Sequence, residues 1–418
     1  MLYNIILLII MDSSDHSTTN FLFRSEDSVK NVLLKKKIIQ QLIFSGNSSI
    51  ADICKMIELS VPTVTKLILD LVDDGYLVEL GKQDTSGGRK PSMFGLNPNA
   101  GYFVGVEVRR TRLLLATIDF MGEMIDQEYD IPYTLENTPK ALDELCVLIN
   151  NYIDHLPVDR KKILYISMNL SGRINSISGY SYSYFYFSEE PLMMVLEERL
   201  GIAVNLENDS RAMAYGEYMA GVVQGEKNIL HINLNWGLGS AIIIDGKLYY
   251  GKSGFSGEIG HMPVFDNEII CKCGKKGCLE TEASGFAIMR MLNEKHKAGS
   301  TTILADKIDS EEGVSLHEFV DAVLKEDVLA IEIVESIGLS LGRGVAGLIN
   351  MLNPELVIIG GPLSEVNDYI RLPIESAIRK YSLNLVNKDT SIKVSKLGTK
   401  AGVIGSCLLS RSKLLGLI

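Results

Sequence analysis

The 418-residue sequence predicts an α/β protein in two parts: an N-terminal winged helix-turn-helix over residues 24–99, and a larger α/β body that carries a structural zinc loop. Three features lead there. Between Val29 and Leu96 apolar residues recur first at helical and then at strand spacing. From Gly101 to Gly361, short apolar strands end in turns and alternate with helical stretches. Between them, the run GEIGHMPVFDNEIICKCGKKGCLETE, Gly257 to Glu282, gathers His261, Cys271, Cys273 and Cys278.

Composition narrows the class. Hydrophobic content of 46% and charged content of 22% describe an ordinary globular chain of two or three domains. A net charge of −11 excludes nucleic-acid binding spread over the whole surface and leaves room for a local basic face. Cys54, Cys146 and Cys407 are scattered and read as small core residues rather than a disulfide framework. The opening MLYNIILLII is about ten residues long, too short to span a bilayer. It has neither a basic stretch before it nor a small-residue cleavage site after it. Residues 1–23 are therefore read as a disordered or misassigned leader, with Met11 as an alternative start. A cytoplasmic protein without membrane association is expected.

In the N-terminal part, Val32, Leu33, Ile38, Ile39, Leu42 and Ile43 mark a first helix stopped by Ser45-Gly46. Ser48-Ser49 caps a second with Ile50, Ile53, Met56 and Ile57. Ser60 and Pro62 open a third with Val64, Leu67, Ile68, Leu71 and Val72, ended by Gly75. Tyr76–Leu80 and Met93–Leu96 then read as strands around the basic loop Gly87-Gly88-Arg89-Lys90-Pro91. In a winged helix-turn-helix the third helix enters the major groove, which nominates Thr63, Thr65 and Lys66 as DNA contacts. Arg89 and Lys90 suit a narrow minor groove. From Arg24 to Asn99 ten Lys and Arg face nine Asp and Glu, a net +1 that leaves −12 for the rest of the chain. A helical bundle for protein contacts is the plainer reading of the same pattern.

His261, Cys271, Cys273 and Cys278 form a complete tetrahedral donor set of the closed, structural kind. Gly274 and Gly277 flank the turn where a chain wrapping a metal needs unusual dihedrals. Elsewhere in the body, Gly101 to Ile118 reads as a strand hairpin, and Ile163–Met168 as a strand leading into the turn Gly172-Arg173. Tyr180–Phe187 alternates like a strand with one buried face, or else offers rings for a sugar to stack on. Val204–Asp209 runs as a strand into a loop before a helix over Ser210–Met219. Ala330–Leu352 is a long helix, Asn353–Gly361 a buried strand between turns, and Gly398–Leu409 a terminal helix, with no internal repeat evident.

Glu258-Ile-Gly-His261, then C-x-C-x-x-x-x-C, then Leu279-Glu280-Thr281, resembles the signature of the ROK family of repressors, open reading frames and sugar kinases. The resemblance covers nearly the whole chain and implies a two-lobed, actin-like (ribonuclease H-like) body. Its small lobe would span 100–205 and be completed by 399–418; its large lobe, with the zinc loop and sugar pocket, would span 206–398. It implies sugar contacts from Gly172, Arg173, Asn208, Asp209, Glu258, His261 and Glu280. The metal would fix the tautomer and orientation of His261. In the family's kinases the aspartate matching Asp209 is the general base for a sugar hydroxyl; a binding group or a plain helix cap are the other readings here.

The same resemblance exposes departures. Where the kinases have a D-x-G-G-T loop, this chain has Glu107-Val108-Arg109-Arg110-Thr111. Where they read roughly L-G-T-G-x-G-G-G, it has Leu234-Asn235-Trp236-Gly237-Leu238-Gly239-Ser240-Ala241. Two arginines and an indole replace residues that let backbone amides approach phosphates, so ATP and Mg2+ are not expected and no catalytic residue is expected; zinc on the four-residue donor set is the expected cofactor. The Gly-Gly-Arg-Lys-Pro wing is similar to that of the family's repressors and absent from its kinases. The resemblance thus implies a sugar-responsive transcriptional repressor, a homodimer or homotetramer, with operator DNA and a sugar or sugar phosphate as partners. The alternative is an ATP-dependent hexose or N-acetyl amino-sugar kinase, with Asp209 as general base and an appended DNA-binding domain.

Overall fold

A computed structural model describes residues 27–82 and 91–418. The leader with Met11, and the wing residues Arg89 and Lys90, lie outside the described residues. Helix α1 (Val29–Ser45) starts at Ser28, whose side chain accepts the Asn31 N–H, and stops at Gly46. A two-residue strand β1 (Ser48–Ser49) leads into α2 (Ile50–Ile57), with Ser49 as its cap. Helix α3 (Val61–Asp73) has Pro62 in its first turn. Ser60 sits at its N-cap, but its hydroxyl lies 2.9 Å from the Thr63 hydroxyl rather than on a backbone amide. Strands β2 (Leu77–Lys82) and β3 (Ser92–Leu96) pair antiparallel, and β1 joins the far side of β3. Three helices closed by a strand pair fit a helix-turn-helix. Their apolar faces do not form an isolated core: Ile39, Leu42 and Leu71 share one cluster with Phe120, Leu414 and Leu415 of the body.

The body contains two five-stranded sheets of the same plan. In the first, β4 (Tyr102–Val108), β5 (Arg112–Asp119) and β6 (Met124–Pro132) form an antiparallel meander. Helix α4 (Pro139–His155) precedes β7 (Ile163–Leu170), which lies parallel to β4. After the short hairpin β8 (Ile174–Asn175) and β9 (Tyr180–Ser181), helix α5 (Leu192–Leu200) leads to β10 (Val204–Asn208), parallel to β7. The order is β10-β7-β4-β5-β6.

Helix α6 (Asp209–Ala220) begins the crossing to the second meander, β11 (Ile229–Leu234), β12 (Leu238–Ile244) and β13 (Lys247–Leu248). Four helices follow: α7 (Gly285–Lys297), α8 (Ala305–Ile308), α9 (Leu316–Leu324) and α10 (Val328–Leu352). Strand β14 (Leu356–Gly360) then lies parallel to β11. Helices α11 (Asp368–Tyr381) and α12 (Asn384–Asp389) precede β15 (Ser391–Val394), parallel to β14. The order is β13-β12-β11-β14-β15. Finally α13 (Ala401–Leu415) returns to pack on α6 and the first sheet.

Each sheet is thus a three-strand meander with two parallel strands added beside its first strand. This duplication was not evident in the sequence, because buried strands constrain apolar character and not residue identity. Two further expectations are corrected. Only Tyr180–Ser181 of the aromatic run is strand; Phe185 turns the chain with φ +56°, leaving Tyr182, Tyr186 and Phe187 exposed. No loop separates β10 from its helix, since Asn208 both ends the strand and caps α6. None of the described helices is long and apolar enough to cross a membrane.

Candidate functional site

The β10–α6 junction is the centre of the site. The Asn208 side-chain oxygen accepts the Ser210 and Arg211 N–H groups at 3.0 and 3.2 Å, which caps α6. Its amide donates to the Gly172 carbonyl at 3.0 Å, so the turn that carries Gly172 and Arg173 is held against the junction. Asp209 is half-buried, and its Oδ1 accepts the Ser210 N–H at 2.7 Å. Burial raises its carboxyl above the ordinary range; the Ser210 amide opposes this, and the nearby Glu107 charge adds to it. A carboxylate held this way is a strong acceptor in search of a donor such as a hydroxyl.

Beneath the junction lies a pair that sequence reasoning missed. Glu207 and Arg211 are buried and joined at 2.6 Å. Glu207 also accepts from Ser176 at 2.8 Å and Tyr250 at 3.0 Å. Arg211 donates to the carbonyls of Gly254 and Ile174 at 2.8 and 3.2 Å. Burial alone would push the Glu207 carboxyl up; Arg211 and the Lys413 ammonium override it and hold it below its usual value. The available signal was an i,i+4 Glu–Arg spacing across a strand-to-helix joint, which is also the commonest pattern of solvated helix surfaces.

On the side of the Glu107–Thr111 turn, Arg109 turns back on its own strand. Its Nε lies 2.7 Å from Glu107, and its Nη2 donates to the Thr399 carbonyl just ahead of α13. The second Glu107 oxygen is buried without a hydrogen-bond partner among the described residues. Arg110 is exposed. Trp236 packs on Phe286 with ring centroids 5.5 Å apart, and Lys272 covers the Phe286 ring at 3.3 Å.

The metal-type residues converge. One ligand atom from each of His261, Cys271, Cys273 and Cys278 lies within 4.8 Å of every other. Cys273 and Cys278 sulfurs are 3.7 Å apart, and Cys271 Sγ is 3.5 Å from His261 Nδ1. Bonds of about 2.3 Å to sulfur in a tetrahedron require sulfurs about 3.8 Å apart, so donor chemistry and spacing both suit structural zinc. Gly274 and Gly277 adopt φ of +83° and +74°, the left-handed turn the wrapping needs. The other imidazole nitrogen faces Glu258 at 3.8 Å. Glu280 accepts the Leu238 N–H at 2.9 Å, tying this loop to the turn before β12.

Residues 103–413 match the model of the ROK family. The chain belongs to the ROK family. A xylose repressor of Caldicellulosiruptor bescii is 29% identical over 392 residues, covering 93% of this chain and 96% of the relative. A glucokinase of Halalkalibacterium halodurans is 31% identical over 308 residues, covering 73% of this chain and 93% of the relative. Among solved structures, a ROK family transcriptional regulator described as a homologue of the E. coli MLC protein aligns with TM-score 0.79 and 26% identity. That alignment covers 93% of this chain and 98% of the regulator.

At the N-terminal end of this ROK chain, Thr63 and Lys66 are exposed on α3, opposite the buried Val64, Leu67, Ile68 and Leu71. Thr65 is half-buried, and its hydroxyl donates to the Val61 carbonyl at 2.8 Å. The two exposed residues present the face that a recognition helix would use.

Proposed function

We propose that this ROK protein is a sugar-responsive transcriptional repressor that has lost kinase activity. One observation carries the reading: the repressor and regulator relatives align over 93% of the chain, N-terminal helices included, whereas the glucokinase aligns over 73%. The segment that separates the two groups is the helix-turn-helix. A winged helix-turn-helix reads operator DNA as part of a homodimer or homotetramer, with contacts from Thr63, Thr65, Lys66, Arg89 and Lys90.

The sugar or sugar-phosphate effector sits against Gly172, Arg173, Asn208, Asp209, Glu258, His261 and Glu280. Zinc on His261, Cys271, Cys273 and Cys278 would supply no chemistry beyond holding its loop and fixing the imidazole that faces Glu258. Arg109, committed to Glu107 and Thr399, and Trp236, packed at a tilt against Phe286, support loss of the nucleotide site. Coupling has a physical route. Helix α13 starts beside Thr399, and about 22 Å away its Leu415 and Gly416 carbonyls accept the Gln40 side chain of α1 at 2.8 Å. An effector that binds the two ends' arrangements unequally would shift the DNA-binding helices.

Thermal unfolding across sugars, sugar phosphates and ATP analogues tests this. A ligand at 100 times its Kd adds about 2.7 kcal/mol. A shift with a sugar and none with nucleotide is expected; a shift with nucleotide and turnover of ATP on a hexose would replace the reading with the kinase one.

A further inference from the structure

We propose that the effector is an oligosaccharide of at least two units, whose second ring stacks on an aromatic platform formed by Tyr182 and Phe255. This rests on the sugar-sensor reading and names the ligand class for the same site. Tyr182 follows β9 in the first half of the body, and Phe255 follows β13 in the second. Their rings meet edge to face, with centroids 5.7 Å apart and planes at 74°. Tyr180 extends the strip, 6.4 Å from Tyr182. Tyr182 remains 49% and Phe255 39% exposed, so neither ring is consumed by the core.

Both rings are fastened to the polar site itself. The Tyr182 N–H donates to the Arg173 carbonyl at 2.9 Å, and the Arg173 N–H donates to Ser183 at 3.0 Å. That same turn presents the Gly172 carbonyl to Asn208. Gly172 has φ +96°, and a side chain there would meet the Ser183 hydroxyl at 2.3 Å, so only glycine lets the turn and the platform approach this closely. On the other side, the Gly254 carbonyl next to Phe255 accepts Arg211, which is bonded to Glu207. The platform therefore borders the Asn208–Asp209 junction from both halves.

The surface chemistry selects a sugar. Rings interleaved with tyrosine and serine hydroxyls match a pyranose, which presents C–H faces edged by hydroxyl groups. Half-exposed rings offer less than the roughly 150–250 Å2 that a whole aromatic side chain can bury, whereas a stable protein interface needs about 1,200 Å2. A first unit held at Asp209 and a second across Tyr182 and Phe255 would touch both halves, giving the differential affinity that a switch requires.

The test measures affinity of the full chain by calorimetry for xylose and xylobiose, glucose and cellobiose, and N-acetylglucosamine and chitobiose. One disaccharide is expected to bind about ten-fold tighter than its own monosaccharide. That ratio is expected to fall to about one in Tyr182→Ala and in Phe255→Ala, and to persist in Tyr182→Phe. Equal or weaker disaccharide binding overturns the proposal and leaves the sugar sensor standing. A ratio that survives both alanine variants also overturns it, even if both affinities drop together, as does a change in oligomeric mass with the ratio intact. No response to any sugar removes the sensor reading and the platform with it.

Discussion

The two sides of the candidate site use their polar groups differently. On one side, Asp209 and the Glu258–His261 pair remain partly exposed beside the buried Glu207–Arg211 ion pair. On the other, groups are turned on the protein: Arg109 on Glu107 and the Thr399 carbonyl, Trp236 on Phe286. On the proposed reading the first side holds the groups that would recognise a ligand, whereas the second uses comparable groups to brace the fold. A protein that bound a sugar without phosphorylating it, as proposed above, would require only the first.

Loss of the metal is the largest way to break that contrast. Structural zinc is worth about 10 kcal/mol in small domains, so Cys278→Ser or a strong chelator is expected to abolish sugar-induced stabilisation, with metal content per chain as the readout. Next is the scaffold under the first side. Arg211→Ala strands a buried carboxylate and is expected to cost about 3–5 kcal/mol, read as a lower urea midpoint. Because the Glu207 carboxyl is held below its usual 4.5, its stabilisation is complete above that pH and is lost as pH falls through the depressed value. Stability of Glu207→Gln should therefore vary less with acidification than that of the parent chain.

Asp209 sharpens the comparison, since it should be costly to lose for binding and not for folding. Asp209→Asn is expected to weaken the effector by about 10- to 100-fold while leaving thermal stability equal or higher. Its raised carboxyl makes affinity begin to fall, as pH decreases, above the ordinary value of 3.8; the variant should lack that fall. On the bracing side the order reverses. Arg109→Ala leaves Glu107 without its cation and should cost about 1–3 kcal/mol of stability, with no ATP-analogue binding gained by thermal shift. The smallest effect is expected at Lys66→Ala, a uniform weakening of DNA binding with the salt slope reduced by about one.

Much of this chain was legible locally. The second and third N-terminal helices begin within a residue or so of their Ser signals and the first stops at its Gly, because caps and stops act over one turn. The spacing of His261, Cys271, Cys273 and Cys278 was readable for the same reason: a tight turn brings its own residues together. The aromatic run misled, because alternation describes a strand only where a partner strand exists, and β8–β9 offers two residues of ladder.

By itself, then, the sequence determined the N-terminal elements and several strands of the body, the cluster of metal-type donors and, through the family resemblance, the departures from the kinase phosphate loops, all properties of residues close in the chain. Tertiary structure alone decided where Arg109 and Arg211 point and that Tyr182 meets Phe255. These depend on which strands neighbour one another, and apolar patterning marks a strand as buried without naming its neighbour.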